Sequence, residues 1–252
     1  MSSGIHAVSP PATPPAPISL GIVDIHHDDG SYSLTQFRAG GGLALIHKAT
    51  EGKDFADRGF AAAMSLCKGA SMMRGAYHFG SASAPGAVQA DFFLSRTAHI
   101  DGALLVLDLE NNPGSSGTMA TSEGAAFAAR VRTVTGRWPV LYAGASDLRT
   151  RIAKAALDVR ATLAHCPLWI AQYGEMPSPK GVPSLWPNGG WSLWQYSSST
   201  DNGPHDQRTF PRGAPGFVRR SQDVSCFRGT PGELATWWKL AGLDPVDGNA
   251  SV

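Results

Sequence analysis

Residues 104–110 read LLVLDLE, an apolar run that ends in two acids separated by one residue. A short, almost wholly apolar run of this kind is typical of a buried parallel strand. Because strand side chains alternate between faces, Asp108 and Glu110 point the same way. The C-terminal ends of parallel strands are where α/β barrels and open sheets collect their catalytic groups. The stretch therefore predicts a parallel sheet with a pair of carboxylates at its catalytic edge.

Strand-like and helix-like segments alternate on both sides of this run, from Ile18 to about Ala241, which predicts one α/β domain built from β/α repeats. From residue 177 to residue 220 the chain is rich in Gly, Pro, Ser and Asn, so we expect the helices to be depleted in the second half. The predicted strands cover residues 19–25, 43–48, 74–79, 103–109, 139–142, 168–172, 192–196 and 223–226. Helical faces are predicted from Phe60, Met64 and Cys67, from Phe127, Val131 and Val134, and from Leu234, Trp237, Trp238 and Ala241.

The two ends of the chain differ from its middle. Residues 1–18 are rich in proline and carry neither a basic segment nor a continuous apolar stretch, so we predict a disordered leader that is not a signal peptide. The catalytic barrel is expected over residues 19–243, and residues 244–252 are expected to form a flexible tail. No run reaches the length that a bilayer span needs.

Composition excludes several classes of partner. Lys and Arg number 21 against 20 Asp and Glu, a formal net charge of +1, so no global field favours nucleic acid or an anionic membrane. The three cysteines, Cys67, Cys166 and Cys226, are far apart and match no zinc pattern, so we expect no disulfide framework, with a single bridge as the alternative. Cys67 and Cys166 are predicted to be buried. The seven tryptophans suit either a core or a cleft that stacks on sugar rings.

The Asp108 and Glu110 pair carries the first chemical hypothesis. A carboxylic acid can protonate a leaving oxygen near neutral pH only if its pKa is raised, and a second carboxylate beside it in an apolar setting raises it. The alternative is that both acids are solvated and cap the following helix, for which residues 111–113, Asn-Asn-Pro, are suitable company.

A second polar group follows the first strand, where residues 21–30 read GIVDIHHDDG. Asp24 would join the same carboxylate cluster at the strand end. The residues from His26 to Asp29 form either a hydrated loop or a set of metal ligands, although their spacing fits no specific zinc signature.

Five segments, taken in order, resemble the glycoside hydrolase family 25 lysozymes. They are residues 48–52 (KATEG), 75–79 (GAYHF), 108–110 (DLE), 169–173 (WIAQY) and 194–197 (WQYS). The resemblance runs from about Leu20 to Arg228. It implies an irregular TIM-like (β/α) barrel and an N-acetylmuramidase that cuts the β-1,4 bond between N-acetylmuramic acid and N-acetylglucosamine in peptidoglycan.

The resemblance also implies roles for particular residues. Four acids at the mouth of the barrel fall on Asp24, Asp108, Glu110 and Asp223, the last from a segment in which Ser225 replaces the family's usual Asn. Glu110 would be the general acid and base, and Asp108 would stabilise a cyclic intermediate formed by the substrate's own 2-acetamido group. Substrate-binding residues would be Tyr77, Trp169, Tyr173, Trp194, Tyr196 and Lys48.

This hypothesis needs no metal or cofactor and predicts a monomer whose partner is the peptidoglycan glycan strand, with neither nucleic acid nor membrane involved. Access to the cell wall would then come through lysis or specialised secretion. One alternative is a metal-dependent phosphodiester hydrolase with Asp24, His26, Asp108 and Glu110 as ligands. Another is a cell-wall sugar-binding barrel without catalytic activity.

Overall fold

The structure, a computed structural model, describes residues 17–173, 179, 182–186, 190–198, 214–217 and 223–243. The predicted tail and all but the last two residues of the predicted leader lie outside these ranges. The division into leader, barrel and tail therefore stays a prediction. None of the helices within the described ranges is long and apolar enough to cross a membrane.

Eight strands form a closed barrel, which confirms the predicted α/β fold class. A ninth short strand, β3, pairs only with the end of β2. Seven of the eight barrel strands run parallel to one another, and β9 runs antiparallel to both of its neighbours, β8 and β1. In chain order the strands are β1 (Ser19–Ile25), β2 (Ala44–Glu51), β3 (Phe55–Ala56), β4 (Met73–Phe79), β5 (Leu104–Asp108), β6 (Val140–Gly144), β7 (Leu168–Ala171), β8 (Trp191–Ser197) and β9 (Asp223–Phe227).

The helices cluster in the first part of the barrel, as predicted. They are α1 (Leu34–Ala39), α2 (Phe60–Gly69), α3 (Gly86–Thr97), α4 (Thr121–Thr135), α5 (Ala145–Asp147), α6 (Leu157–Ala164) and α7 (Pro231–Leu240), with a π-helical turn over Leu148–Ile152. Within the described residues, no helix lies between the end of β7 and the start of β9. The β/α repeat thus lapses where the sequence becomes rich in Gly and Pro.

Two of the three predicted helical faces are buried throughout or nearly so. The face of α2 (Phe60, Met64 and Cys67) is at most 5% exposed, and Leu234 and Trp238 of α7 are buried with Trp237 at the edge. On α4 the prediction is wrong at one position: Val134 is 53% exposed, because the apolar stripe ends before the helix does. All three cysteines are free and buried, which confirms the predicted burial of Cys67 and Cys166.

Strand alternation divides the core into two layers. Inward residues such as Ile22, Ile46, Val106 and Leu193 fill the barrel, and the alternate residues pack outward against the helices. The last helix, α7, joins the inner layer by covering the amino-terminal end of the barrel, where the Trp238 indole N–H donates to the Arg74 carbonyl at 2.9 Å. Covering that end leaves the opposite mouth for the polar residues.

Candidate active site

A polar cavity of about 250 Å³ opens at the mouth formed by the carboxyl ends of the parallel strands. Its lining combines carboxylates, one lysine, one histidine and a set of apolar and aromatic side chains. The lining residues are Asp24, His26, Lys48, Tyr77, Phe79, Val106, Asp108, Glu110, Tyr142, Trp169 and Asp223. All four acids named from the sequence therefore lie in one cavity.

Each acid reaches the cavity by the geometry of its strand. Asp24 is the penultimate residue of β1, Asp108 ends β5, and Glu110 follows two residues later on the same face. Asp223 begins β9 rather than ending it. Because β9 is antiparallel to β1, its first residue lies at the same mouth, in register with Asp24.

Glu110 has the protonation behaviour that a proton donor near neutral pH requires. Burial is the main cause that raises its pKa to about 7, and repulsion from Asp147 and Asp223 adds to it, while Lys48 acts in the opposite direction. At neutral pH a substantial fraction of Glu110 therefore carries a proton.

Asp108 lies deeper than Glu110 and is 7% exposed. Burial and the neighbouring Glu110 raise its pKa well above the ordinary range. Its Oδ1 atom is buried and has no hydrogen-bond partner among the described residues. Buried polar atoms are nearly always paired, so an unpartnered carboxyl oxygen at this depth is unusual, and the same carboxyl group belongs to a residue that lines the cavity.

Asp24 is held by a glutamine that the sequence hypothesis did not include. Burial and repulsion from Asp223 raise its pKa, and the Gln195 amide opposes the rise by donating to both carboxyl oxygens at 3.0 Å each. Gln195 Oε1 in turn accepts from the Tyr142 hydroxyl at 2.8 Å and the Tyr173 hydroxyl at 3.2 Å. The two phenols thus fix which end of the amide faces Asp24.

Three of the six predicted substrate-binding residues line the cavity: Tyr77, Trp169 and Lys48. Trp169 is 2% exposed and forms the floor, where its indole N–H donates to the Ser225 hydroxyl at 3.0 Å. Lys48 pairs with Glu51 at 2.5 Å, and its ammonium lies 4.8 Å from the centre of the Phe79 ring. It is placed to act by its charge on the central acids.

Tyr173 is 46% exposed just beyond β7 and reaches the site through Gln195. Trp194 and Tyr196 are placed differently from what the stacking hypothesis requires. They are 1% and 2% exposed and pack in the outer layer, because alternation along β8 turns Gln195 to the inside and its two neighbours away from it. We therefore leave both aromatic residues out of the site.

Sequence reasoning missed Gln195 and Asp147. Gln195 is a polar residue between two aromatic ones near the carboxyl end of a strand, a pattern that places it on the opposite face from both neighbours. Asp147 lies three residues after β6, an acid close to a strand end like Asp108, and it pairs with Arg151 at 2.9 Å. Its charge raises the pKa of Glu110 more than that of Asp223 does.

The ligand set of the phosphodiesterase hypothesis does not come together. No three of Asp24, His26, Asp108 and Glu110 offer donor atoms within 4.8 Å of one another, whereas His26, His27 and Asp28 do. A metal between the central acids therefore lacks a preformed set of ligands within the described part of the chain.

Comparisons with known proteins agree with this geometry. The profile of the family described as glycosyl hydrolases family 25 matches residues 23–203. Lysozyme M1 of Streptomyces globisporus is 34% identical over 188 residues, which cover 70% of this chain and 61% of that protein. The chain thus spans less than two thirds of that relative.

Two further proteins are covered more fully. An N,O-diacetylmuramidase of Chalaropsis sp is 31% identical over 191 residues, which cover 70% of this chain and 87% of that protein. The crystal structure of a bacterial lysozyme from Streptomyces coelicolor superposes with a TM-score of 0.72 at 29% identity, over 88% of this chain and 97% of that one.

Proposed function

The chain belongs to glycosyl hydrolase family 25, and we propose that it is an N-acetylmuramidase, a lysozyme that hydrolyses the β-1,4 bond between N-acetylmuramic acid and N-acetylglucosamine in peptidoglycan. The observation that carries the proposal is the convergence of four carboxyl groups in one cavity, with the pKa of Glu110 raised to about 7. A sugar-binding module without catalysis has no use for an acid in that state.

Glu110 acts as the general acid. It transfers its proton to the glycosidic oxygen as the bond from that oxygen to C1 of the muramic acid breaks. The departing sugar leaves with a free hydroxyl, and Glu110 is left as a carboxylate. In the second half of the reaction that carboxylate takes a proton from water, and the water oxygen bonds to C1.

The substrate's own acetamido group acts as the nucleophile. Its carbonyl oxygen bonds to C1 as the leaving group departs, and the resulting five-membered ring opens when water attacks, so the anomeric configuration is retained. This route is a recognised exception to the scheme with two catalytic carboxylates. Asp108 supports it because it lines the cavity, where its carboxyl group can accept the acetamido N–H, which becomes more acidic as the ring forms.

The Tyr77 hydroxyl is a neutral hydrogen-bond donor in the same cavity as Asp108. Burial and the nearby carboxylates raise the pKa of its phenol well above the ordinary value, so it keeps its proton and can hydrogen-bond the acetamido oxygen. The negative charges of Asp24 and Asp223 disfavour ionisation of the neighbouring carboxyl groups. Asp223 raises the pKa of both Asp24 and Glu110. Asp24 and Asp223 also offer acceptors for sugar hydroxyls.

The proposal extends to the partners of the protein and to its oligomeric state. Acidic and basic residues are nearly equal in number, with a formal net charge of +1. This supports a glycan strand as the partner rather than nucleic acid or an anionic membrane. We also propose that the chain acts as a monomer, because one chain supplies all four acids.

Digestion of purified peptidoglycan, followed by reduction and identification of the new chain end, tests the proposal. A muramidase leaves N-acetylmuramic acid at the new reducing end. Release of N-acetylglucosamine at that end, or no cleavage by a folded protein, would contradict the assignment. Digestion that persists in excess chelator would further separate it from the metal-dependent alternative.

A further inference from the structure

The loop after β1 carries three potential metal ligands that the hydrolytic mechanism leaves unused. His26, His27 and Asp28 each offer a donor atom, and the three donors lie within 4.8 Å of one another. Among the described residues, this is the one group of three or more His, Cys, Asp or Glu side chains that meets that distance. Two imidazole nitrogens and a carboxylate oxygen form a donor set that suits Zn²⁺.

His27 is held by a buried carboxylate. Asp57, whose side chain is 0% exposed, accepts from His27 Nδ1 at 2.7 Å and from the His27 backbone N–H at 3.2 Å. The other Asp57 oxygen accepts the Gly59 N–H at 2.8 Å, which fixes the carboxylate itself. The tautomer that donates from Nδ1 to this carboxylate leaves the lone pair on Nε2, the arrangement found at many histidine ligands of metals.

His26 has a similar partner. Its Nε2 lies 3.7 Å from Asp29 Oδ2, an oxygen that also accepts the His26 backbone N–H at 2.7 Å. With Nε2 facing a carboxylate, Nδ1 is the nitrogen left for a ligand role, and it accepts the Asp28 backbone N–H at 3.3 Å, a hydrogen bond that a bound metal ion would replace. Each histidine therefore has one nitrogen directed at a supporting acid, which leaves its other nitrogen as the candidate metal ligand.

Asp28 supplies the third donor. His27 Nε2 faces Asp28 Oδ2 at 3.4 Å, while Arg58 pairs with the other Asp28 oxygen at 3.3 Å. A lone pair that faces a carboxylate oxygen is unfavourable unless a proton or a metal ion lies between them. The side chains of His26 and Asp28 are 43% and 62% exposed, so both have room to close to bonding distances of about 2.0–2.2 Å.

We propose that His26, His27 and Asp28 bind a divalent transition metal ion, Zn²⁺ in the first place, at the rim of the cavity. Asp57 and Asp29 orient the two histidines, and a water or a ligand takes the remaining coordination position. Because His26 also lines the cavity, the bound ion would lie beside the entrance to the site. The metal takes no part in the hydrolysis proposed above, so either proposal can fail without the other.

Calorimetric titration of tag-free protein with Zn²⁺, repeated with Co²⁺ and its visible absorption as a readout of coordination, tests this site. We expect one ion per chain in the wild type. Changing an orienting residue alone costs about 10–100-fold in metal affinity, so Asp28→Asn and His26→Gln should each weaken binding at least as much. His99→Gln, at an exposed histidine outside the group, should bind like the wild type.

Thermal melting without metal confirms that each variant is folded, which is expected because neither altered side chain is buried. The proposal is overturned if the wild type binds no ion. It is equally overturned if Asp28→Asn binds as tightly as the wild type, because the ion then lies on other residues.

Discussion

Asp108 and Glu110 are two residues apart, yet their surroundings give them different chemistry. Asp108 is buried beneath the mouth with one unpaired oxygen, whereas Glu110 lies nearer the opening among several acids. The sequence predicted that both would share a face and that each would raise the pKa of the other. It could not assign the contribution of Asp147, which approaches Glu110 only through the fold.

The pH dependence of hydrolysis follows from Glu110. A general acid must hold its proton, so the rate should fall as pH rises through about 7, the pKa of Glu110. Asp147→Asn removes a charge that raises this pKa and should move the alkaline limb to lower pH. Lys48→Met removes a charge that lowers it and should move the limb to higher pH, as measured by rate profiles on soluble glycan fragments. An alkaline limb that stays in place in both variants would rule out Glu110 as its origin.

Gln195 provides a second test at this scale. Hydrogen bonds to charged groups contribute about 1.5–3 kcal/mol, so Gln195→Ala should lower kcat/KM by roughly 10- to 100-fold. Its acid limb should also move to higher pH, because Asp24 loses a hydrogen bond that favours its charged form. Tyr196→Phe, at the next residue on the opposite face, is the matched control and should keep its activity. Equal losses in both variants would point to a structural effect on β8.

At the scale of elements, strand patterning located every barrel strand but not every strand end or orientation. The bounds of β1 agree with the prediction, while β2 continues to Glu51 rather than stopping at residue 48. The extension exists because it pairs with β3 on one side and, beyond a register shift after Lys48, with β4 on the other, contacts that the pattern within β2 cannot reveal. For β8, which is buried on both faces, alternation separates Gln195 from its neighbours without saying which face lies inside.

The packing of α3 against α4 depends on Gly86. A Cβ atom at this position would lie 1.8 Å from the Glu123 carbonyl oxygen, so Gly86→Ala must push the two helices apart. We expect a loss of about 1–3 kcal/mol in the free energy of unfolding, measured by urea denaturation. Gly69→Ala in α2 is the matched control, since nothing lies within 4 Å of its Cβ, and it should stabilise the fold by about 0.5–1 kcal/mol. Similar effects in the two variants would contradict the close approach.

At the scale of the whole molecule, the barrel gathers like charges that oppose folding. Burial raises the pKa of Asp108 above its value in the unfolded chain. The stability gained from its protonated form is therefore present at acid pH and lost as pH rises through the folded-state pKa. Sites that carry such strain commonly trade stability for activity.

Asp108→Asn should raise the stability of the protein while it removes the hydrolytic activity. At pH 8 we expect a melting temperature about 2–4 °C above that of the wild type, corresponding to about 1 kcal/mol, with loss of hydrolysis. The difference should shrink towards pH 4, where the wild-type carboxyl is neutral. Asp101→Asn, at an exposed acid, should melt like the wild type. An Asp108→Asn protein that is less stable than the wild type at pH 8 would argue against an unfavourable buried charge.

The antiparallel β9 is the feature of the whole barrel that the sequence could not supply. Parallel β/α repeats predict acids at strand ends, yet Asp223 begins its strand and reaches the mouth only because β9 reverses direction. The resemblance to family 25 pointed to Asp223, whereas the alternation of strands and helices by itself did not.

The central claim, that Glu110 is the proton donor of a muramidase, is tested most directly by Glu110→Gln. The amide keeps the shape of the side chain and removes the proton, so the rate at which new N-acetylmuramic acid ends appear from purified peptidoglycan should fall by about 10²–10⁴-fold. Thermal melting should show a folded protein. A folded Glu110→Gln protein that releases those ends at nearly the wild-type rate would contradict the account.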